Sequence, residues 1–185
     1  MLFIKTDKDF YISLEKALDE IDDEWRSYGG VLIAGSHAPT DIEAKLFAIK
    51  KARENGIPFL GVCLGAQLAW IEYARNVLGV KDATSEEIGM GTHIVKKLPK
   101  LRVGLYTVDG RQESHWHNYA FNNEYADRFM NDWDMTITGV VLEATKLKGH
   151  RFFIGVQFHP CYQSSKDKPH PLLVEFLSSC KHAKK

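Results

Sequence analysis

The stretch Gly61-Val62-Cys63-Leu64-Gly65 constrains this chain more than any other. Two glycines bracket one nucleophilic side chain where an apolar run, Pro58 to Val62, gives way to a helical pattern from Leu64 to Leu78 that Gly79 closes. A turn of the form G-x-nucleophile-x-G joins a buried strand to a helix and lifts one side chain clear of the backbone, the small flanking residues permitting the strain. A thiol at that point faces the N-terminus of the next helix, whose free N–H groups and dipole favour the thiolate, so a lowered thiol pKa is expected. The same N–H groups can hold a developing oxyanion. On the local pattern alone, Cys63 reads equally well as a small buried hydrophobe.

The flanking segments supply a scaffold for such a turn. Leu2 to Ile4 predicts a first strand, and Phe10, Leu14, Ala17, Leu18 and Ile21 recur at helical spacing. Val31 to Ala34 predicts a buried strand that empties into the loop Gly35-Ser36-His37, and Asp41 to Glu54 predicts an amphipathic helix ending at Asn55-Gly56. Beyond a turn region at Thr84 to Glu87, strands are predicted at Arg102–Val108, Thr136–Leu142 and Phe152–Gln157, with a closing helix at Leu172–Ser179. Strands alternating with helices imply an α/β fold, a mostly parallel sheet with helices on both faces and an antiparallel extension from the second half. At 185 residues without a Gly/Ser/Pro-rich linker, one domain over residues 1–185 is expected.

Charge and cysteine usage narrow the partners. Lys and Arg total 24 and Asp and Glu also 24, so there is no basic field for nucleic acid; a small molecule or another protein is the expected partner. No leader-like start and no run of about 18 apolar residues is present, so no membrane association and a cytoplasmic location are expected. Cys63, Cys161 and Cys180 are irregularly spaced, which argues against a disulfide framework. Trp25, Trp70 and Trp133 read as core aromatics, His170 as structural, Cys180 as inert, and Lys181 to Lys185 as a solvated tail.

A base for the thiol is visible downstream. Ile154-Gly155-Val156-Gln157-Phe158 predicts a strand that delivers His159-Pro160 to the carboxyl edge of the sheet, where Cys63 stands. Nucleophile and imidazole from neighbouring strand ends are what covalent catalysis needs.

Ala52 to Gln67, Ile71 to Gly79, Asp9 to Leu14, Gly91-Thr92, His117-Asn118-Tyr119, Val156 to Pro160 and Pro169 to Leu172 together resemble the class I glutamine amidotransferases, nearest within them the glutaminase domain of CTP synthase. The resemblance implies a flavodoxin-like three-layer sandwich carrying a Cys-His-Glu triad that hydrolyses glutamine's side-chain amide through a thioester. By position it makes Cys63 the nucleophile, His159 the base and Leu64 an oxyanion N–H donor, with Gln67 and Glu87 lining the amino-acid pocket.

Several positions depart from that pattern. The triad glutamate of His-Pro-Glu is Cys161, and loss of the equivalent carboxylate in a serine protease costs about four orders of magnitude in turnover. The oxyanion loop Pro-Gly-Gly-Phe-Gly becomes Ala34-Gly35-Ser36-His37-Ala38, where Ser36 is unsuited to a φ > 0 conformation if the loop requires one. In Ser114-His115-Trp116-His117-Asn118-Tyr119, Trp116 replaces the arginine that clamps the substrate carboxylate, which removes affinity for glutamine. About ten residues between Ile21 and Val31 leave no room for an extra strand, and no phosphate-binding G-x-x-x-x-G-K-[ST] loop is present, so CTP synthesis by this chain alone is not expected.

Three functions fit these residues: hydrolysis of a C–N bond in a small-molecule amide other than glutamine by a Cys63–His159 dyad; a glutaminase feeding ammonia to a separate synthetase subunit; and a binding or redox-sensing module using Cys63 and Cys161. A homo-oligomer stays open. A zinc site from Cys63, His93, His115, His117, His159 and Cys161 matches no standard spacing, and neither metal nor cofactor is expected.

Overall fold

Alternate residues of the short apolar strands must face opposite ways, so a run that is apolar throughout needs a core on each side. In the computed structural model, which describes residues 1–5 and 8–183, strands β1 (Leu2–Ile4), β2 (Val31–Ile33), β3 (Phe59–Val62) and β9 (Phe153–Val156) satisfy that demand. Val31, Ile33, Phe59 and Phe153 enter one hydrophobic cluster; Leu32, Leu60, Val62, Ile154 and Val156 enter the other. Helices α2 (Ile42–Glu54) and α3 (Leu64–Asn76) contribute to the first, and α1 (Lys8–Ile21) and α5 (Pro171–Lys181) to the second. This is the α/β, flavodoxin-like three-layer arrangement expected from the sequence.

The main sheet has six strands in the order β1-β2-β3-β9-β8-β7, where β7 is Trp133–Thr138 and β8 is Val141–Leu147. The first four run parallel; β8 and β7 form the anticipated antiparallel extension. Residues between α1 and β2 carry a 3₁₀ turn, Trp25–Ser27, and no strand, as their number predicts.

The second half differs from the sequence reading in three ways. Thr136–Leu142 is not one strand: it spans a two-residue turn, Gly139-Val140, between β7 and β8, with Gly139 at φ +62°. Arg102–Val108 is the end of a longer strand, β5 (Thr92–Val108), paired antiparallel with β6 (Arg111–Phe121). With β4 (Ala83–Ser85), which overlaps the expected turn region at Thr84 and Ser85, they make a separate three-stranded sheet.

Trp25, Trp70 and Trp133 are at most 1% exposed, as anticipated, and Cys180 is fully buried. His170 is structural: its Nδ1 accepts from Leu172 N at 3.2 Å, capping α5, and its Nε2 meets Glu113 Oε1 at 3.0 Å. Arg53 on α2 clasps the buried Glu72 on α3 through Nε and Nη2 at 2.9 and 2.8 Å. Of the tail, Lys184 and Lys185 lie outside the described residues.

Candidate active site

Cys63 links β3 to α3 at φ +52° and ψ −105°, a conformation that costs an L-residue about 1–3 kcal/mol and persists only where the surroundings enforce it. Its N–H donates to Val156 O at 2.7 Å, and its carbonyl accepts from Ala66 N and Gln67 N at 3.1 Å each. The flanking glycines serve a different purpose from the one the motif suggests. A Cβ on Gly61 would fall 2.5 Å from the Gly65 backbone, and one on Gly65 would fall 2.3 Å from Ile33 O. They let α3 approach the sheet, while the left-handed strain sits on the cysteine.

His159 follows β9 and is 1% exposed; its N–H donates to Ser114 O at 2.8 Å, which pins it against β6. Between its ring and Cys63 lies Gly35. A Cβ there would sit 2.9 Å from His159 Cε1 and 3.2 Å from Cys63 Cβ, so the loop after β2, the thiol and the imidazole meet at one residue. Neither Gly35 nor Ser36 adopts positive φ, so a serine fits the loop without left-handed strain. Ser36 is buried and its Oγ accepts from Ala38 N at 3.0 Å.

The expected lowering of the thiol pKa does not hold. A hydrogen bond from the Leu64 backbone and one from Gln157 do favour the thiolate, but burial outweighs them and, helped by the negative field of Glu87, pushes Cys63 up to about 12. The helix-end contribution is present and is overridden by desolvation. His159 moves the other way, down to about 4, chiefly through burial, with His117 and His37 adding to the effect. Near neutrality the resting pair is therefore a neutral thiol beside a neutral imidazole.

The imidazole has a hydrogen-bond partner in the backbone of Trp116, which favours its charged form, whereas its Nε2 is buried without a partner. Cys161 lies in the 3₁₀ turn Pro160–Gln163, packed in the second cluster, with burial raising its thiol to about 12. It carries no charge near neutral pH. All three cysteines are free.

Two residues beyond those selected from the sequence shape the site. Gln157, next to the end of β9, donates from Nε2 to Cys63 Sγ at 3.6 Å, and its Oε1 accepts from Gln67 Nε2 at 3.2 Å; Gln67 also donates to Tyr119 O at 3.0 Å. The signal was available, since strand alternation sets Gln157 and His159 on the same side of the chain. Phe10 stacks on His159, with centroids 5.0 Å apart at 23°. The helical spacing of Phe10 and its place in a family-like segment were legible, but not its contact with the imidazole.

Trp116 is 46% exposed and, with the exposed His37, joins Phe10 in a run of touching rings. Glu87 lies just past β4, its N–H donating to Ser85 Oγ at 3.1 Å. His115 and His117 turn inward from β6. His117 Nδ1 is 2.8 Å from Tyr119 O, His117 Nε2 is 3.2 Å from His115 Nδ1, and Arg102 pairs with the buried Glu143 behind them. His93 contacts Gly89 O elsewhere. Among the described residues no group of three or more His, Cys, Asp or Glu side chains is placed to hold a metal ion, and no helix is long and apolar enough to cross a membrane.

Cys63 thus stands in a strained turn at the start of α3, and His159 follows the neighbouring parallel strand β9. The model of the glutamine amidotransferase class-I family matches residues 9–179, and the chain belongs to that family. It is 34% identical to the CTP synthase of Methanoregula boonei over 96% of this chain and 42% of that protein. It is 38% identical to the CTP synthase of Methanosphaerula palustris over 84% and 35%. The chain thus spans well under half the length of these relatives. The glutaminase domain of Trypanosoma brucei CTPS, solved with bound acivicin, superposes with a TM-score of 0.83 at 23% identity, covering 100% of this chain and 96% of that one.

Proposed function

We propose that the chain is a cysteine hydrolase that cleaves the C–N bond of a small-molecule amide other than glutamine, with Cys63 as nucleophile and His159 as base. The observation that carries this reading is Gly35: only a residue without a side chain fits where the thiol and the imidazole meet. The Nε2 of His159 has no hydrogen-bond partner in the protein, Cys63 Sγ included, so in this reading ring and thiol close on one another when the amide binds.

In the first half-reaction the Cys63 thiol passes its proton to His159 while sulfur attacks the amide carbon, and the oxyanion forms against the Leu64 N–H and the Gly35-Ser36 loop. Collapse breaks the C–N bond, and the imidazolium returns the proton to the leaving nitrogen. Water then attacks the thioester, His159 takes the water proton, the C–S bond breaks and the acid leaves; the proton returns to sulfur. The Trp116 backbone orients the ring in place of the absent carboxylate, and the neutral Cys161 thiol contributes no charge. Slow turnover is the expected consequence.

A separate glutaminase subunit is the second reading, favoured by the CTP synthase relatives and by Gln67 and Glu87; Trp116, aligned with a carboxylate-clamping arginine, weighs against it. A panel of amides and γ-glutamyl compounds assayed with wild type and Cys63→Ala tests the first reading. Equal rates for both proteins on every compound would end it. Ammonia release from glutamine in the presence of a synthetase partner would favour the second.

A further inference from the structure

We infer that the protein has a second small-molecule site, a cleft beside α5 on the main sheet, which takes a ligand with an apolar body and an ammonium head held by Glu113. Cys63 and the reaction assigned to it play no part in this site.

The cleft lies where β8 and β7 extend the sheet past α5. Ile154 and Val156 of β9 face the layer built by α1 and α5, and strand register carries the same face outward onto Ala144 and Lys146 of β8 and then onto Thr136 and Asp134 of β7. Between these strands, the start of α5 and the tip of the β5–β6 hairpin, about 440 Å³ stays open, a volume within the range of small-ligand pockets. Val108, Ile154, Val156, Phe158 and Leu172 give it an apolar wall.

Glu113 sets the charge of the ligand. It lines the cleft with its side chain 3% exposed. Its hydrogen-bond donor is a neutral ring: His170 Nδ1 accepts from Leu172 N at 3.2 Å and so carries no proton, which leaves Nε2–H to donate to Glu113 Oε1 and Oε2 at 3.0 and 3.2 Å. Arg111 approaches Oε1 with Nε at 3.6 Å, too far for a hydrogen bond, and its side chain is half exposed. A carboxylate buried against apolar walls and met by a neutral donor gains from any cation that reaches it. The exposed rim agrees in sign. Asp109, Asp134 and Glu175 stand there with Arg111 and Lys146, so four carboxylates, Glu113 included, share the wall with two cations. Asp134 is also met by Lys148 at 3.8 Å, which leaves Asp109, Glu113 and Glu175 to favour a positive head.

Three probes with one apolar body separate the ligand classes: phenylbutylamine, phenylbutanol and phenylbutyrate, each titrated into the full chain by calorimetry. The amine is expected to bind about tenfold more tightly than the alcohol, the difference being a charge-assisted bond to a buried carboxylate, and the acid more weakly than both. Glu113→Gln keeps an oxygen for His170 Nε2–H and removes the charge, so it should bring amine and alcohol within about twofold of one another. Ala144→Trp fills the cleft from β8 and should abolish binding of all three. On wild type, the methyl resonances of Ile154 and Val156 should shift with the amine while those of Ile49 and Ile71, in the other cluster, should not, which locates the ligand even where a variant fails to fold. Cys63→Ala should bind the amine as wild type does, which sets the cleft apart from the catalytic site. Acid bound as tightly as amine, amine and alcohol bound equally by wild type, no saturable binding of the amine, or amine binding that survives Ala144→Trp or is lost in Cys63→Ala overturns the proposal. So does a ligand-free dimer in sedimentation that Ala144→Trp disperses, since a second copy of the chain would then fill the cleft.

Discussion

Gln157 donates its side-chain N–H to the sulfur of Cys63 across 3.6 Å, and Gln67 fixes the direction of that amide by donating to its oxygen at 3.2 Å. The thiol is thus held by a two-glutamine chain anchored on Tyr119 O. Because this hydrogen bond favours the thiolate, Gln157→Leu should raise the Cys63 pKa further. Alkylation of Cys63 by iodoacetamide at fixed pH, followed by peptide mass spectrometry, is expected to slow severalfold. An unchanged or faster rate would show that the amide does not act on the sulfur.

Gly35→Ala places a methyl group 2.9 Å from the His159 ring and 3.2 Å from Cys63 Cβ. Displacing the imidazole by several tenths of an ångström should cut turnover by about a hundredfold, while overpacking costs about 1–3 kcal/mol of stability. Thermal melting and amide hydrolysis measured together separate the two effects. Activity close to wild type would remove Gly35 as the meeting point.

The resting thiol and imidazole are both neutral over a wide range, with His159 at about 4 and Cys63 at about 12. The rate should therefore fall only as pH drops toward 4, where the base protonates, and should show no loss near 6.5. An acid limb centred near 6.5 would instead indicate a solvated imidazole.

The same depression has a consequence for folding. His159, His117 and His115 sit at about 4, 4 and 3 when folded, below the ordinary value of 6.5. The unfolded chain binds more protons between these limits, so their contribution to stability is complete above 6.5 and is lost as pH falls through about 4. Glu143, raised toward 7 by burial, runs opposite: its contribution is complete below 4.5 and fades as pH rises through 7. The melting temperature should drop between pH 6.5 and 4, and His117→Asn should flatten that drop.

Much of the nucleophile turn and its sheet was legible because apolar runs and paired glycines mark buried strands that meet a helix. The hairpin arm β6 was not, and the reason is physical. Its inward residues are Glu113, His115 and His117, while the indole of Trp116 faces out. That alternation inverts the usual pattern because β6 packs against a polar cluster containing Arg102 and Glu143. Likewise Val140, 76% exposed in a turn, hid the boundary between β7 and β8. At the site, residue types named Cys63 and His159, but no sequence signal reported that burial would override the helix dipole.

Arg53 and Glu72 join α2 to α3 through two hydrogen bonds, with Glu72 fully buried. Arg53→Ala leaves that carboxylate without its partner and should cost about 3–5 kcal/mol in denaturant unfolding. A loss below about 1 kcal/mol would place the pair with ordinary surface bridges.

The central claim is that Cys63 attacks an amide carbon. Acid quenching of wild-type protein during turnover of an amide, followed by mass spectrometry of the Cys63 peptide, tests it most directly. The account predicts an acyl adduct on Cys63 that disappears as product accumulates and never forms in His159→Ala. Amide consumed at the wild-type rate with Cys63 unmodified at every time point would contradict it.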